Sequence, residues 1–156
     1  MSADSSVETV RAMISTYHKQ QTTEEFLSRF APDVAWYDHA FLVQRVGHEA
    51  VAGLLKAFLH CNQPFETKIK SIEPAQSGVV VAEIVWHGRA VNDIVRPDGE
   101  FAVKATGQAF ECHVCMLIRV DEDKKIYRLD EYYNKQWDNG IAEEKYLLMK
   151  GKSIRD

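Results

Sequence analysis

The sequence predicts an α+β domain in which N-terminal helices pack on a strongly curved antiparallel sheet. Three observations predict it. Apolar residues recur at helical spacing through the first third of the chain. From Phe65 onward the period changes to two, and turn-forming stretches divide the rest into four strand-like segments. Helices followed by consecutive strands is the α+β order, and helices laid over the concave face of a bent sheet would enclose a pocket.

The first helix opens at a capping box, Ser5-x-x-Glu8, with Val7, Val10, Ile14 and Tyr17 on one face. A second box, Thr22-x-x-Glu25, opens a short helix carrying Phe26, Leu27 and Phe30, which Pro32 ends. A strand, Val34 to Asp38, follows. Gly47 to Cys61 reads as the third helix, with Val51, Leu54, Leu55 and Phe58 inward and Asn62-Gln63-Pro64 as its stop. The period-two segments are Phe65 to Ile72, Val79 to Val91, Phe101 to Val120 and Ile126 to Asn134. Gly107 is placed to bulge the longest of them. A last short helix, Ala142 to Lys150, is expected to cover the pocket mouth. No linker or repeat divides residues 1–156, so one domain is expected.

The 156 residues are 46% hydrophobic and 27% charged with a formal charge of −4, which disfavours a nucleic-acid surface. No apolar run reaches the roughly 18 residues of a membrane helix. Met1 to Ser6 lacks the basic-then-apolar order of a signal peptide, and three cysteines do not make an even disulfide framework. A cytosolic protein with no nucleic-acid or membrane partner is expected.

Cys112-His113-Val114-Cys115 spells C-x-x-C, but residues three apart on a strand point to opposite faces. The two thiols are therefore expected to behave as small strand residues, not as a redox pair or metal clip. His48-Glu49 lacks the second histidine of a zinc-protease helix. No metal and no cofactor are expected.

Ala31 to Phe41, APDVAWYDHAF, sets an acid and an imidazole in an apolar, aromatic strand. A buried carboxylate is costly unless it is paired, opened to solvent or used. Alternation puts Asp38 with Trp36 and Val34 on one face and Tyr37 with His39 on the other. Asp38 reads either as a pocket acid/base beside an aromatic wall or as a strand-end residue capping the next turn. On the longest strand Glu111, His113 and Cys115 share one face, and Phe110, Cys112, Val114 and Met116 the other. If the polar face lines the pocket, Glu111 and His113 form an acid/base couple; if it faces solvent or a second subunit, they are a surface pair. Glu83 and His87 share a face of the preceding strand in the same way.

The helix ending in Tyr17-His18, then Phe30-Ala31-Pro32-Asp33, Gly47-His48-Glu49-Ala50-Val51, and Arg119-Val120-Asp121 to Lys125-Ile126 with Tyr132-Tyr133-Asn134 occur in a telling order. That order, over residues 5–137, resembles the cone-shaped nuclear transport factor 2-like superfamily. Within it, the SnoaL-like, ketosteroid-isomerase-like and scytalone-dehydratase-like enzymes look closest. The resemblance implies that Asp38 is the proton-shuttling base, since Trp36-Tyr37-Asp38-His39 falls on the isomerases' catalytic string. It implies a pocket phenol at Tyr17, able to donate to a carbonyl becoming an enolate. Dehydratase-like members imply catalytic roles for Glu111 and His113, and a histidine of theirs falls near Glu83. Trp36, His87 and Tyr133 are then expected to contact substrate. The isomerases' oxyanion-binding acid matches Met116, which cannot serve, and the Arg-x-Asp pair of limonene-epoxide-hydrolase-like members is missing.

Two functions follow from the resemblance. One is a cofactor-independent acid/base enzyme, acting by isomerisation, cyclisation or dehydration on a hydrophobic oxygenated molecule such as a polyketide or terpenoid intermediate. The other is a non-catalytic small-ligand-binding or protein-association module. Family members commonly pair through the outer face of the sheet, so a homodimer is expected.

Overall fold

A computed structural model describes residues 3–17, 23–96 and 98–134. His18, Thr22 and the predicted helix Ala142 to Lys150 lie outside the described residues. The elements are α1 (Ala3–Thr16), α2 (Thr23–Leu27), β1 (Phe30–Asp38), β2 (Val43–Val46), α3 (Gly47–Cys61), β3 (Asn62–Pro74), β4 (Val79–Ala90), β5 (Ile94–Val95), β6 (Phe101–Val103), β7 (Ala109–Val120) and β8 (Ile126–Tyr133). Six strands form one curved, open sheet in the order β2-β1-β8-β7-β4-β3, and β5 and β6 pair as a separate ribbon. All its neighbouring strands are antiparallel except β1 and β8, which run parallel, so the sheet is mixed.

The α1 face built from Val10, Met13 and Ile14 is buried, and Tyr17 just beyond it continues the same stripe. This helix already runs at Ala3, so Ser5 lies inside its first turn instead of capping it, and its carbonyl accepts from the Thr9 hydroxyl. Between β2 and α3 the chain reverses at Gly47, whose φ of +82° is open to glycine and costly for other residues. Within α3, Val51 and Leu55 are buried while Leu54 and Phe58 are half-buried.

Pro32 does not stop a helix; it lies inside β1 and is exposed. The β1–β8 register shifts between Phe30 and Ala35, and β2 pairs only from Ala35 onward. Proline is tolerated there because no neighbouring strand pairs with it. The predicted strand from Phe101 to Val120 is two strands. Gly107, at φ +70°, takes the chain out of the sheet, and its N–H donates to the Ala90 carbonyl at 2.7 Å.

The inner face of the sheet carries Trp36, Ile84, Val114, Met116, Ile118 and Leu129, all buried against the helices. Each large side chain of this kind removed from water contributes roughly 1.5–3 kcal/mol. Gly88 is fixed by packing, since a Cβ there would stand 2.7 Å from the Phe110 ring and 3.2 Å from the Pro64 carbonyl.

Candidate active site

Between α3 and the inner face lies a cavity of about 460 Å³, lined by Tyr17, Asp38, Phe41, Val43, Arg45, Ala50, Gly53, Leu54, Ala57, Phe58, Trp86, Ile94, Glu131 and Tyr133. A Cβ at Gly53 would meet nothing within 4 Å, so α3 presents a bare notch to it. Volume and apolar walls suit a drug-sized molecule, and the few polar groups would set its orientation.

Asp38 ends β1 with 5% of its surface exposed. Its Oδ1 accepts from the Ala40 and Phe41 N–H groups at 3.1 and 3.0 Å, which builds the turn into β2. Its Oδ2 accepts from the Tyr133 hydroxyl at 3.0 Å, and the Arg45 guanidinium stands 3.7 Å from the same oxygen. Asp38 therefore caps a turn and lines the cavity at once. Three donors and a nearby cation are the complement an ionised carboxylate takes.

Glu131 is its cross-strand neighbour on β8, 4% exposed. Burial, reinforced by the charge of Asp38, pushes its carboxyl up to about 8, against the Trp36 indole N–H and Arg45, which favour the anion. At pH 7 the carboxyl is mostly neutral. Its Oε2 accepts from Trp36 Nε1 at 2.9 Å, whereas Oε1 is buried with no hydrogen-bond partner among the described residues. The indole thus selects Oε2 as the carbonyl-type acceptor and leaves Oε1 to carry the proton.

Tyr17 is 3% exposed among aromatic rings, stacked on Trp86 with centroids 6.2 Å apart. Burial holds its phenol well above the ordinary range, and burial does the same to Tyr133, so both are neutral donors at physiological pH.

Asp38, Tyr17 and Tyr133 are thus brought together on the cavity. The other candidates are not. Trp36 is fully buried behind Glu131 and contacts that carboxyl in place of a ligand. The expectation that Glu111, His113, Glu83 and His87 reach the pocket is corrected: they lie on the outer face. His113 Nε2 and Glu111 Oε1 form a surface pair at 2.8 Å, and His87 and Glu83 sit opposite Glu111 and Cys115 across the β4–β7 ladder. The more apolar alternation, Phe110, Cys112, Val114, Met116 and Ile118, is the one turned inward. Cys112 is buried and Cys115 exposed, on opposite faces. Among the described residues no group of three His, Cys, Asp or Glu side chains could hold a metal ion, and no helix is long and apolar enough to cross a membrane.

Sequence reasoning missed Glu131 and Arg45. Counting back by two from Tyr133 places Glu131 on the pocket face, a signal hidden by the adjacent Asp130. Asp130 belongs to the outer face, where Arg128 and then His39 hold its carboxyl down at about 2 against the effect of burial, and Arg119 stands 3.3 Å away. Arg45 sits on β2, a strand too short to show a pattern.

No curated protein matches the sequence. Among solved structures, a provisionally assigned SnoaL-like polyketide cyclase from Jannaschia sp. CCS1 superposes with a TM-score of 0.69 at 14% identity, covering 84% of this chain and 86% of that one. A provisionally assigned polyketide cyclase from Xanthomonas campestris pv. campestris gives 0.67 at 22% identity, covering 86% and 93%. A protein from Catenulispora acidiphila with a ketosteroid isomerase-like fold, in complex with trimethylamine, gives 0.66 at 19% identity, covering 84% and 88%. These likenesses carry the fold. The SnoaL-like domain model matches residues 10–129, which run from within α1 into β8 and stop short of Glu131 and Tyr133, and the chain belongs to the SnoaL-like family.

Proposed function

We propose that the protein is a cofactor-independent acid/base enzyme acting on a hydrophobic, oxygenated small molecule by isomerisation, cyclisation or dehydration. One observation carries this reading: two carboxyl groups, each no more than 5% exposed, lie side by side in one largely apolar cavity, and one of them is held mostly neutral. Carboxyls in different protonation states are a natural acid and base.

In this reading Asp38 Oδ2 takes a proton from carbon next to a substrate carbonyl. The C–H electron pair moves into the enolate, and the charge goes to its oxygen. Glu131 Oε1–H donates a hydrogen bond to that oxygen, in the role of an oxyanion-binding acid, with the Tyr17 phenol as a second donor. Asp38 then returns the proton to another carbon, or the enolate carbon attacks a second carbonyl, whose π pair moves to its oxygen, and that alkoxide takes the proton from Asp38. For dehydration Glu131 gives its proton to the departing hydroxyl, which leaves as water. Tyr133 keeps Asp38 in place. The SnoaL-like relatives assigned as cyclases support the reaction class.

A second reading, a non-catalytic binding module, is favoured by the turn-capping hydrogen bonds of Asp38. Solvent-deuterium exchange into 2-tetralone, an apolar ketone with acidic α-protons, followed by NMR, separates the two. The enzyme reading predicts catalysed exchange that falls roughly 10²–10⁴-fold in Asp38→Asn. Exchange at the buffer rate with ligand demonstrably bound would favour the binding module.

A further inference from the structure

Among the described residues lining the cavity, Arg45 alone is cationic. Its position follows from the hairpin: Arg45 pairs with Trp36, so it shares the inner face of β1, and Asp38 pairs with Val43 next along. The side chain is 28% exposed, yet Nη1 is shielded from solvent and has no hydrogen-bond partner among the described residues. Asp38 Oδ2, 3.7 Å away, compensates part of the charge without accepting a hydrogen bond. A guanidinium cannot shed its proton to relieve this, and a shielded N–H left unmet is costly.

We propose that Arg45 docks a carboxylate of the substrate, so that the site takes an apolar organic acid. The planar fork of a guanidinium matches a carboxylate. A single cation set among nine apolar or glycine residues suits a monoanion on a hydrocarbon or aromatic skeleton, whereas a phosphate would call for more positive charge. Glu131, mostly neutral, adds little repulsion, and with Asp38 Oδ2 only 3.7 Å from Nη1 an acid group anchored at Arg45 would place the carbon next to it beside Asp38 and Glu131 and leave the rest of the skeleton over α3. The inference names the substrate class of the acid/base site and rests on that reading for the chemistry, but not for the binding.

The test is calorimetric binding of 2-naphthoate and of its neutral isostere 2-naphthamide at pH 7. The wild-type protein should bind the naphthoate at least about tenfold more tightly, the scale of one charge-assisted hydrogen-bonded contact. Arg45→Met should erase the preference, Arg45→Lys should keep part of it, and Asp38→Asn should strengthen naphthoate binding by removing the competing anion. Equal affinity for the two probes in the wild type, a preference that survives Arg45→Met, or no binding of naphthoate at millimolar concentration would each overturn the proposal. Because the readout is binding, a failure here leaves the Asp38–Glu131 chemistry standing, and absent turnover leaves the carboxylate preference standing.

Discussion

A carboxyl that stays protonated at neutral pH leaves a signature in stability as well as in chemistry. Glu131 titrates near 8 in the folded protein and near the ordinary 4.3 when unfolded. Between those values the folded state binds the extra proton, so its contribution to stability is full below about pH 4 and is lost as pH rises through 8. Glu131→Gln, which keeps the shape and cannot ionise, should flatten this decline. Urea unfolding at pH 5 and pH 8 should show the parent losing more stability than the variant across that interval; parallel losses would mean that Glu131 is not held neutral. Trp36→Phe should move the Glu131 midpoint higher still, because the indole N–H favours the anion. Asp130 behaves oppositely. Its carboxyl is held at about 2, so its contribution is present above about pH 4 and is lost as pH falls toward 2.

Two glycines in the elements that frame the cavity should respond with opposite signs. At Gly53, inside α3 with open space around it, alanine should stabilise the protein by roughly 0.5–1 kcal/mol by restricting the unfolded chain. At Gly88 on β4, alanine would drive a Cβ into the Phe110 ring and the Pro64 carbonyl, and a loss of about 1–3 kcal/mol is expected. Thermal or urea unfolding of both variants checks the pair, and a stabilising Gly88→Ala would contradict the packing described. The same elements show what a sequence can and cannot carry. The bounds of α3 and the start of β4 were readable because long amphipathic or alternating runs end at clear breakers. β2 and β5 were not, being four and two residues long and mostly exposed, without a burial rhythm. Asp38 stood out as a charge in an apolar strand. Glu111 and His113 misled because residue chemistry, and not the apolarity of the opposite face, guided the expectation.

At the scale of the whole molecule, the parallel pairing of β1 with β8 joins the first strand to the last and sets Asp38 beside Glu131, ninety-odd positions apart in the chain. No local pattern encodes such a contact; it exists only once the sheet assembles in the order described. The described helices cover the inner face, while the outer face displays polar pairs and a half-exposed Tyr132 stacked on His39 at 4.2 Å. We propose pairing of two copies across that outer face, and light scattering at tens of micromolar should report a dimer, a monomer counting against it. The acid/base chemistry proposed for the cavity turns on the protonation of one side chain. Carbon-detected NMR titration of the carboxyl groups, with the Glu131 signal assigned by its disappearance in Glu131→Gln, measures this directly. The expected midpoint is near 8, so that the carboxyl is mostly protonated at pH 7. A midpoint between about 4 and 5, the range of a model-peptide glutamate, would show an ordinary carboxylate and remove the proton donor from the site.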